Sequence, residues 1–306
     1  MHWQRKATIM RICAALPLGD RLYKRIQKQF GRLRVNPMSR LTVQVEMMRW
    51  LLNEKFFAEG KTVLEVGTGH MPIIPIGFFL SGAAQIITID LHRRIDWELT
   101  RDSLAWIAGH RSEVRSLYAD TVPAQLFEEQ FALLTKWHKK PKKFLEAANI
   151  EYLAPADAVH TNLPAQSVDC HFSVAVLEHI PLATLAGIFT EARRILKPTG
   201  YAVHFFDLSD HFQHQDKSIS SINFLQYSDA EWNRIAGNEF MYCNRLRNSD
   251  YLNLFADLSF QPLRWERYVD TKSLDCLQKD FVVHSQFQTY AAEDLCTTTV
   301  HAMLRP

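Results

Sequence analysis

Polar and apolar positions along the chain fall into two regimes. Up to about residue 60 the apolar residues recur at helical spacing. Leu22, Ile26 and Phe30 lie four apart, with Tyr23 and Leu33 alongside, forming a stripe opposite a basic face. Asn36-Pro37 breaks the stripe, a second helical stretch runs from about Ser39 to Phe57, and Gly60 ends it. From Thr62 the pattern changes to short apolar runs alternating with helical segments, as in a parallel sheet with crossover helices. The runs that predict strands are Thr62–Gly67, Gln85–Asp90, Ile150–Ala154, Val168–Val176 and Tyr201–Asp207, with weaker ones at Leu263–Val269 and Thr297–Leu304. Helical patterns cover Pro72–Ser81, Ile95–Ala108, Leu182–Leu196 and Ser249–Leu258. Together these predict one doubly wound, seven-stranded α/β domain over 61–306, preceded by an N-terminal helical extension over 1–60. Two stretches, near 121–149 and 209–248, exceed what a crossover requires and are expected to be insertions that carry function.

Composition narrows the class without changing that picture. Hydrophobic residues make up 47% and charged residues 22%, so a disordered chain is excluded. The longest apolar run, Met71 to Leu80, is broken by two prolines and a glycine and is too short to span a bilayer. Arg5 and Lys6 precede an apolar stretch from Ala7 to Leu18 that imitates a signal peptide. Arg11 interrupts it and no small-x-small cleavage site follows, so a cytoplasmic protein is expected, with peripheral membrane contact as an option. The five cysteines are scattered and form neither a disulfide framework nor a C-x-x-C knuckle.

The net charge of +2 conceals an uneven distribution. Residues 20–34 and 136–143 carry +5 each, which leaves −8 for the remainder. Such stretches are either solvated helix faces or a surface for an anionic or phosphate-bearing partner.

Candidate chemistry concentrates at Val63-Leu-Glu65-Val-Gly67-Thr-Gly69-His70, directly after a predicted strand and before a helix. Glycines there let the backbone turn tightly and approach a ligand closely, and in an open α/β sheet ligands bind at the carboxyl ends of strands. Asp90 closes the next apolar run, 21 residues beyond Gly69, where a carboxylate can accept from both hydroxyls of a ribose. A dinucleotide fingerprint would carry a third glycine where Pro72 stands. Glu65 would repel a phosphate and suit a cation, so the pattern favours a cationic nucleoside over a dinucleotide.

The ordered series Glu65-Val-Gly-Thr-Gly69, Asp90, Asp157-Ala158, Val174-Ala-Val-Leu-Glu-His179 and Arg194-Ile-Leu-Lys-Pro-Thr-Gly200 resembles the motifs of class I S-adenosylmethionine-dependent methyltransferases. The resemblance runs from about Thr62 to Asp207 and implies a Rossmann-like seven-stranded sheet whose last strand is antiparallel. It also implies S-adenosylmethionine as cofactor, with Glu65 near its methionine end and Gly67 and Gly69 lining it. Asp90 would hold the ribose, Asp157 and the Ala158 amide the adenine, and Ser173 and Val174 the methionine moiety. Met71, where many members have another glycine, departs from the pattern.

The acceptor side is less defined. Asp207-Leu-Ser-Asp210-His211-Phe-Gln-His214-Gln-Asp216 leaves the carboxyl end of the fifth predicted strand, and His211 or, second, His214 is the expected general base. These residues lack the spacing of a known zinc or calcium loop, so no metal site is expected. His171, inside an apolar strand, reads as a core histidine. The Leu177-Glu178-His179 segment resembles that of methyltransferases acting on small molecules, quinones, lipids and glycans. Oxygen methylation of a small-molecule or glycan-type acceptor is expected. The alternatives are an RNA or membrane-lipid substrate, for which the basic segments speak, and a silent nucleoside-binding scaffold.

Overall fold

The computed structural model describes residues 2–17, 19, 22, 25, 26 and 35–306. Most of the basic stretch 21–34, with Phe30 of the predicted apolar stripe, lies outside the described residues.

The elements in chain order are α1 (Trp3–Ala15), α2 (Pro37–Asn53), β1 (Thr62–Val66), α3 (Ile73–Leu80), β2 (Gln85–Ile89), α4 (Trp97–Gly109), α5 (Arg111–Leu117), α6 (Ala124–Trp137), α7 (Pro141–Ala147), β3 (Ile150–Leu153), β4 (Val168–Val174), α8 (Leu182–Ile195), β5 (Leu196–Asp207), α9 (Asp229–Ala236), α10 (Asn248–Asp257), β6 (Gln261–Val269), α11 (Thr271–Leu277), α12 (Ala292–Leu295) and β7 (Thr297–Arg305). The strands form one mixed seven-stranded sheet in the order β3-β2-β1-β4-β5-β7-β6, the doubly wound α/β architecture expected. β1 runs parallel to β2 and β4, and β2 parallel to β3. β5 begins at Leu196, earlier than its apolar run. The amides of Gln166 and Ser167 donate to the carbonyls of Arg194 and Ile195 at 3.0 and 2.8 Å and so anchor the chain just before the strand.

Contacts divide the chain into two compact units. One holds residues 34–173, 188–203 and 303–306. Its inner strands are apolar on both faces: Val63, Leu64, Ile86, Ile87, Val168, Cys170 and Phe172 are all buried. Phe78 of α3 stacks on Phe172 with centroids 4.5 Å apart. Helix α2 opens with Pro37, whose fixed φ suits a first helical turn, and buries Leu41, Val45, Met48 and Leu51 at helical spacing. Gly77 of α3 has no room for a side chain, because a Cβ there would meet Gln44 Cγ at 2.8 Å. Gln44 is itself buried and satisfied, donating to Ser81 Oγ at 3.2 Å and accepting from Tyr118 Oη at 2.9 Å. The stretch near 121–149 folds into α6 and α7. Phe127, Phe131 and Leu134 form the buried face of α6, and the lysines of 136–143 stay exposed.

The other unit holds 1–33, 174–187 and 204–302. Its core gathers Trp3, Met10, Phe212, Phe224, Leu225, Trp232 and Phe287, so the N-terminal apolar stretch is a packed helix face in which Trp3, Ala7, Met10 and Cys13 are buried. Trp3 packs on Phe212 at 5.4 Å, and the buried Lys6 lies over the same ring. Helix α9 starts with a reciprocal cap in which Ser228 Oγ accepts from Glu231 N and Glu231 Oε2 accepts from Ser228 N. Arg247 is 1% exposed and threads its guanidinium among carbonyls. Nη2 donates to Leu208 O at 3.0 Å, Nε to Arg245 O at 3.1 Å and Nη1 to Leu295 O at 3.4 Å. Burial pushes this guanidinium down to about 10.

Candidate active site

The glycine turn after β1 takes the backbone its residue types allow. Gly67 has φ +89° and Gly69 φ +65°, both in the left-handed region that costs other residues energy. The Gly67 amide donates to Ile89 O at 2.8 Å, which ties the turn to the end of β2. Asp90 follows that strand end and is 8% exposed. Its Oδ2 accepts from the Gly69 amide at 3.1 Å and its Oδ1 from the His92 amide at 3.0 Å. Arg94 Nε stands 3.9 Å from Oδ1. Each carboxylate oxygen has two lone pairs, so both keep capacity for a ribose hydroxyl. A Cβ built on Gly69 would meet nothing within 4 Å, so the space beside the turn is open. These features fit a nucleoside held by ribose and backbone. Met71, the departure from the motif, is half-buried and its sulfur accepts from Ser103 Oγ at 3.4 Å.

Glu65 lies beneath this turn and is 4% exposed. The parallel register sets it beside Thr88, whose hydroxyl donates to Glu65 Oε2 at 2.5 Å. Thr68 Oγ1 meets the same Thr88 hydroxyl at 2.5 Å. Burial pushes the Glu65 carboxyl up to about 8, against the opposing bond from Thr88. At that value the carboxyl is mostly protonated at neutral pH.

Asp90 also joins the segment after β3. Its amide donates to Leu153 O and its carbonyl accepts from the Ala156 amide, both at 3.0 Å. Asp157 and Ala158 follow directly. Asp157 is exposed and its Oδ1 accepts from the Val159 amide at 2.9 Å, while Ala158 is buried. Thr161 pins the far end of this loop by donating to Glu191 Oε1 from its amide at 3.0 Å and from its hydroxyl at 2.5 Å. The structure thus ties the Gly67–Gly69 turn, Asp90 and the Ala156 amide together by hydrogen bonds, and Asp157 and Ala158 follow Ala156 in the chain. Ser173 is buried at the end of β4 and Val174 is half-buried. His171, 2% exposed, packs edge-on to Phe189, and burial pushes its imidazole down to about 4, as suits a neutral core histidine.

The acceptor-side candidates cluster around Asp207 at the end of β5. His214 Nε2 lies 3.2 Å from Asp207 Oδ2 and 3.1 Å from Ser209 Oγ. His211 Nε2 lies 3.7 Å from the same carboxylate oxygen, and the two imidazoles stack at 5.1 Å. Burial raises the Asp207 carboxyl, but the bonds from His214 and Ser209 and the proximity of His211 outweigh it and hold it below its ordinary value. The His214 side chain is 49% exposed and that of His211 17%. Burial pushes His211 down to about 4, so its ring is neutral.

Two contributors to this cluster, Cys243 and Asn244, escaped the sequence reading. Cys243 Sγ lies 3.8 Å from His211 Nδ1 and 3.9 Å from His179 Nδ1. Asn244 holds the cysteine there, because its side-chain amide donates to the carbonyls of Leu177 and Ile180, both at 2.9 Å. Glu178 is 2% exposed, and its Oε1 accepts from the Asp207 amide at 3.3 Å. Nothing local in the sequence links positions 177–180 to 243–244. Thr88 was the more readable omission, a single polar residue in the run Ile86-Ile87-Thr88-Ile89.

Among the described residues no helix is long and apolar enough to cross a membrane. A family profile described as a methyltransferase domain matches residues 112–204, a span that includes Asp157, Ala158, Ser173 and Val174 but not the glycine turn. No curated protein matches the chain. Similar solved structures include the geranyl diphosphate C-methyltransferase of Streptomyces coelicolor A3(2), crystallised with S-adenosyl-L-homocysteine. It is 12% identical, with 85% of this chain and 78% of that one covered, at a TM-score of 0.46. An S-adenosylmethionine dependent methyltransferase from Mesorhizobium loti is 12% identical over 84% of this chain and 96% of its own, at 0.45. The Haemonchus contortus phosphoethanolamine N-methyltransferase 2, with S-adenosyl-L-methionine, is 12% identical over 85% and 52%, at 0.46. The methyltransferase-domain profile thus falls on the middle of a doubly wound sheet whose glycine turn and Asp90 carboxylate fit a nucleoside.

Proposed function

We propose that the enzyme methylates a hydroxyl of a small-molecule or glycan-type acceptor, with His214 as general base and Asp207 as the residue that orients it. The observation that carries this reading is the 3.2 Å approach of His214 Nε2 to Asp207 Oδ2 on a half-exposed imidazole. A hydroxyl becomes a good nucleophile only as its proton leaves, and a carboxylate behind an imidazole stabilises the protonated ring. His211, the first choice from sequence, is enclosed between Asp207 and Cys243, so the more accessible His214 takes the proton. Bound S-adenosylmethionine supplies the methyl group on a sulfonium. On this reading Asp90 binds the ribose, Gly67 and Gly69 line the cofactor with backbone, Asp157 and the Ala158 amide read the adenine, Ser173 and Val174 flank the methionine moiety, and Glu65 answers its positive charge.

The test is release of S-adenosylhomocysteine against a panel of sugar and phenolic acceptors. His214→Ala should lower turnover by ~10²–10⁴ while leaving the Kd for S-adenosylmethionine unchanged. Near-normal turnover in both His214→Ala and His211→Ala would leave catalysis to positioning alone and overturn the base assignment.

A second reading has its own observation. Lys136, Lys139, Lys140, Lys142 and Lys143 are all exposed, with Lys142 Nζ 5.2 Å from the Trp97 ring centroid and Lys143 Nζ 5.7 Å from that of Trp137. This favours an anionic acceptor or surface, at which indole rings and ammonium groups act together. Replacing the five lysines by glutamine should abolish sedimentation with phosphatidylglycerol vesicles. Equal binding of both proteins, or none, leaves the lysines as a solvated face.

A further inference from the structure

We propose that His179, His211 and Cys243 form a zinc site that goes beyond the methyl-transfer chemistry. One ligand atom from each of the three lies within 4.8 Å of the other two, although the residues are far apart in the chain. The short edge already has nearly the length a metal needs. Cys243 Sγ and His211 Nδ1 are 3.8 Å apart. A tetrahedral zinc with bonds of ~2.3 Å to sulfur and ~2.05 Å to nitrogen sets its ligands about 3.6 Å apart. The Cys243 Sγ to His179 Nδ1 edge is 3.9 Å, close to the same length.

The orientation of the His211 ring gives further support. His179 Nδ1 lies 3.9 Å from Cys243 Sγ and 2.7 Å from the Tyr242 carbonyl, so as a ligand it would exchange that carbonyl for the metal. His211 Nε2 faces Asp207 Oδ2 at 3.7 Å and is a buried nitrogen with no hydrogen bond among the described residues, which leaves Nδ1 towards the sulfur. Proteins commonly set a carboxylate behind a metal-bound imidazole, and Asp207 stands on that side of His211, 0.2 Å beyond the 3.5 Å hydrogen-bond limit. The backbone is also fixed, since Asn244 clamps the Cys243 loop to the turn carrying His179.

Two imidazoles and one thiolate are a donor set for a borderline-soft divalent ion, and zinc suits it without redox chemistry. On binding, the Cys243 thiol loses its proton to solvent and the sulfur forms the third protein bond. The fourth position stays open to water, the pattern of a reactive centre more than of a structural clip.

The test uses the full chain stripped of metal by a chelator and titrated with Zn²⁺ and with Co²⁺. The expected result is one zinc per chain and, with cobalt, tetrahedral visible bands with a thiolate-to-cobalt charge-transfer band in the near ultraviolet. Cys243→Ser should lose the charge-transfer band, and His211→Ala and His179→Ala should each weaken Zn²⁺ binding at least tenfold. If a variant fails to fold, the wild type carries the test: Zn²⁺ should slow alkylation of Cys243 and leave the half-buried Cys276 unchanged, read peptide by peptide. Absence of the charge-transfer band in the wild type, its persistence in Cys243→Ser, or equal alkylation with and without Zn²⁺ overturns the site. Calorimetry with S-adenosylhomocysteine on the same samples tests the methyltransferase reading separately.

Discussion

Replacing Glu65 by glutamine isolates the electrostatics of the cofactor cradle. The carboxyl is 4% exposed, accepts one hydrogen bond from Thr88, and burial holds it up to about 8 against an ordinary 4.5. The sign follows from proton counting. Between these values the folded chain binds a proton that the unfolded chain has released, so stability is greatest below 4.5 and declines as pH rises through 8. Each pH step costs about 1.4 kcal/mol, so by pH 7 the wild type has lost about 3 kcal/mol through this one group. Glutamine keeps the shape and an oxygen for Thr88 but cannot titrate. Urea unfolding of both proteins at pH 5, 6, 7 and 8 should show Glu65→Gln gaining on the wild type by about 3 kcal/mol across the series. The same carboxyl should ionise when a cation arrives above it. Binding of S-adenosylmethionine to the wild type at pH 7 should therefore release protons, seen as a calorimetric enthalpy that varies with the buffer, and Glu65→Gln should release none. Stability curves that stay parallel from pH 5 to 8 would refute the argument, whatever happens to cofactor affinity.

Asp90→Ala should raise the Kd for S-adenosylhomocysteine about 5- to 150-fold, or ~1–3 kcal/mol, because ribose hydroxyls lose a charged partner. Heat from NAD titrated into the wild type would contradict the nucleoside assignment. Arg247→Met should cost about 3–5 kcal/mol in urea unfolding, because it strands the carbonyls of Leu208, Arg245 and Leu295 in the interior. A loss under about 1 kcal/mol would mean that those carbonyls find other donors. His171 is kept neutral in the fold by burial, down to about 4, so the unfolded chain takes up its proton first as pH falls from 6.5. The wild type should lose about 1.4 kcal/mol per pH step between those values relative to His171→Phe, and an unchanged difference would show that the ring ionises freely in the fold.

What was legible in the chain was local. The strands carrying Glu65, Asp90 and Ser173 read correctly because inner strands of a doubly wound sheet are continuous apolar runs. The glycine turn and Asp90 were readable because both stand where a strand ends, so their place in the sheet follows from their place in sequence. Helix α6 was readable in principle, since Phe127, Phe131 and Leu134 repeat at helical spacing, but the adjoining lysines drew the reading towards charge. Ala7, Met10 and Cys13, in the apolar stretch after Arg5 and Lys6, form the buried face of a helix, a composition that the sequence pattern alone also allows for a leader. Cys243 and Asn244 were out of reach on physical grounds. Their partners in 177–180 lie 64–67 residues away, and the contact depends on how a loop returns, which no short-range pattern encodes.

The bonds around Asp90 have a kinetic consequence. Its side chain holds the Gly69 and His92 amides, its carbonyl holds the Ala156 amide, and its own amide is held by Leu153. Three segments distant in sequence are riveted at one residue, so none can open to solvent without disturbing the others. In hydrogen exchange such amides behave as one unit with a single opening free energy rather than as three independently fraying loops. A nucleoside seated on Asp90 adds its binding energy to that common opening, so the turn, the strand end and the segment after β3 would slow together by one factor. The cradle would stiffen as a body, and the cofactor would act as its last fastening.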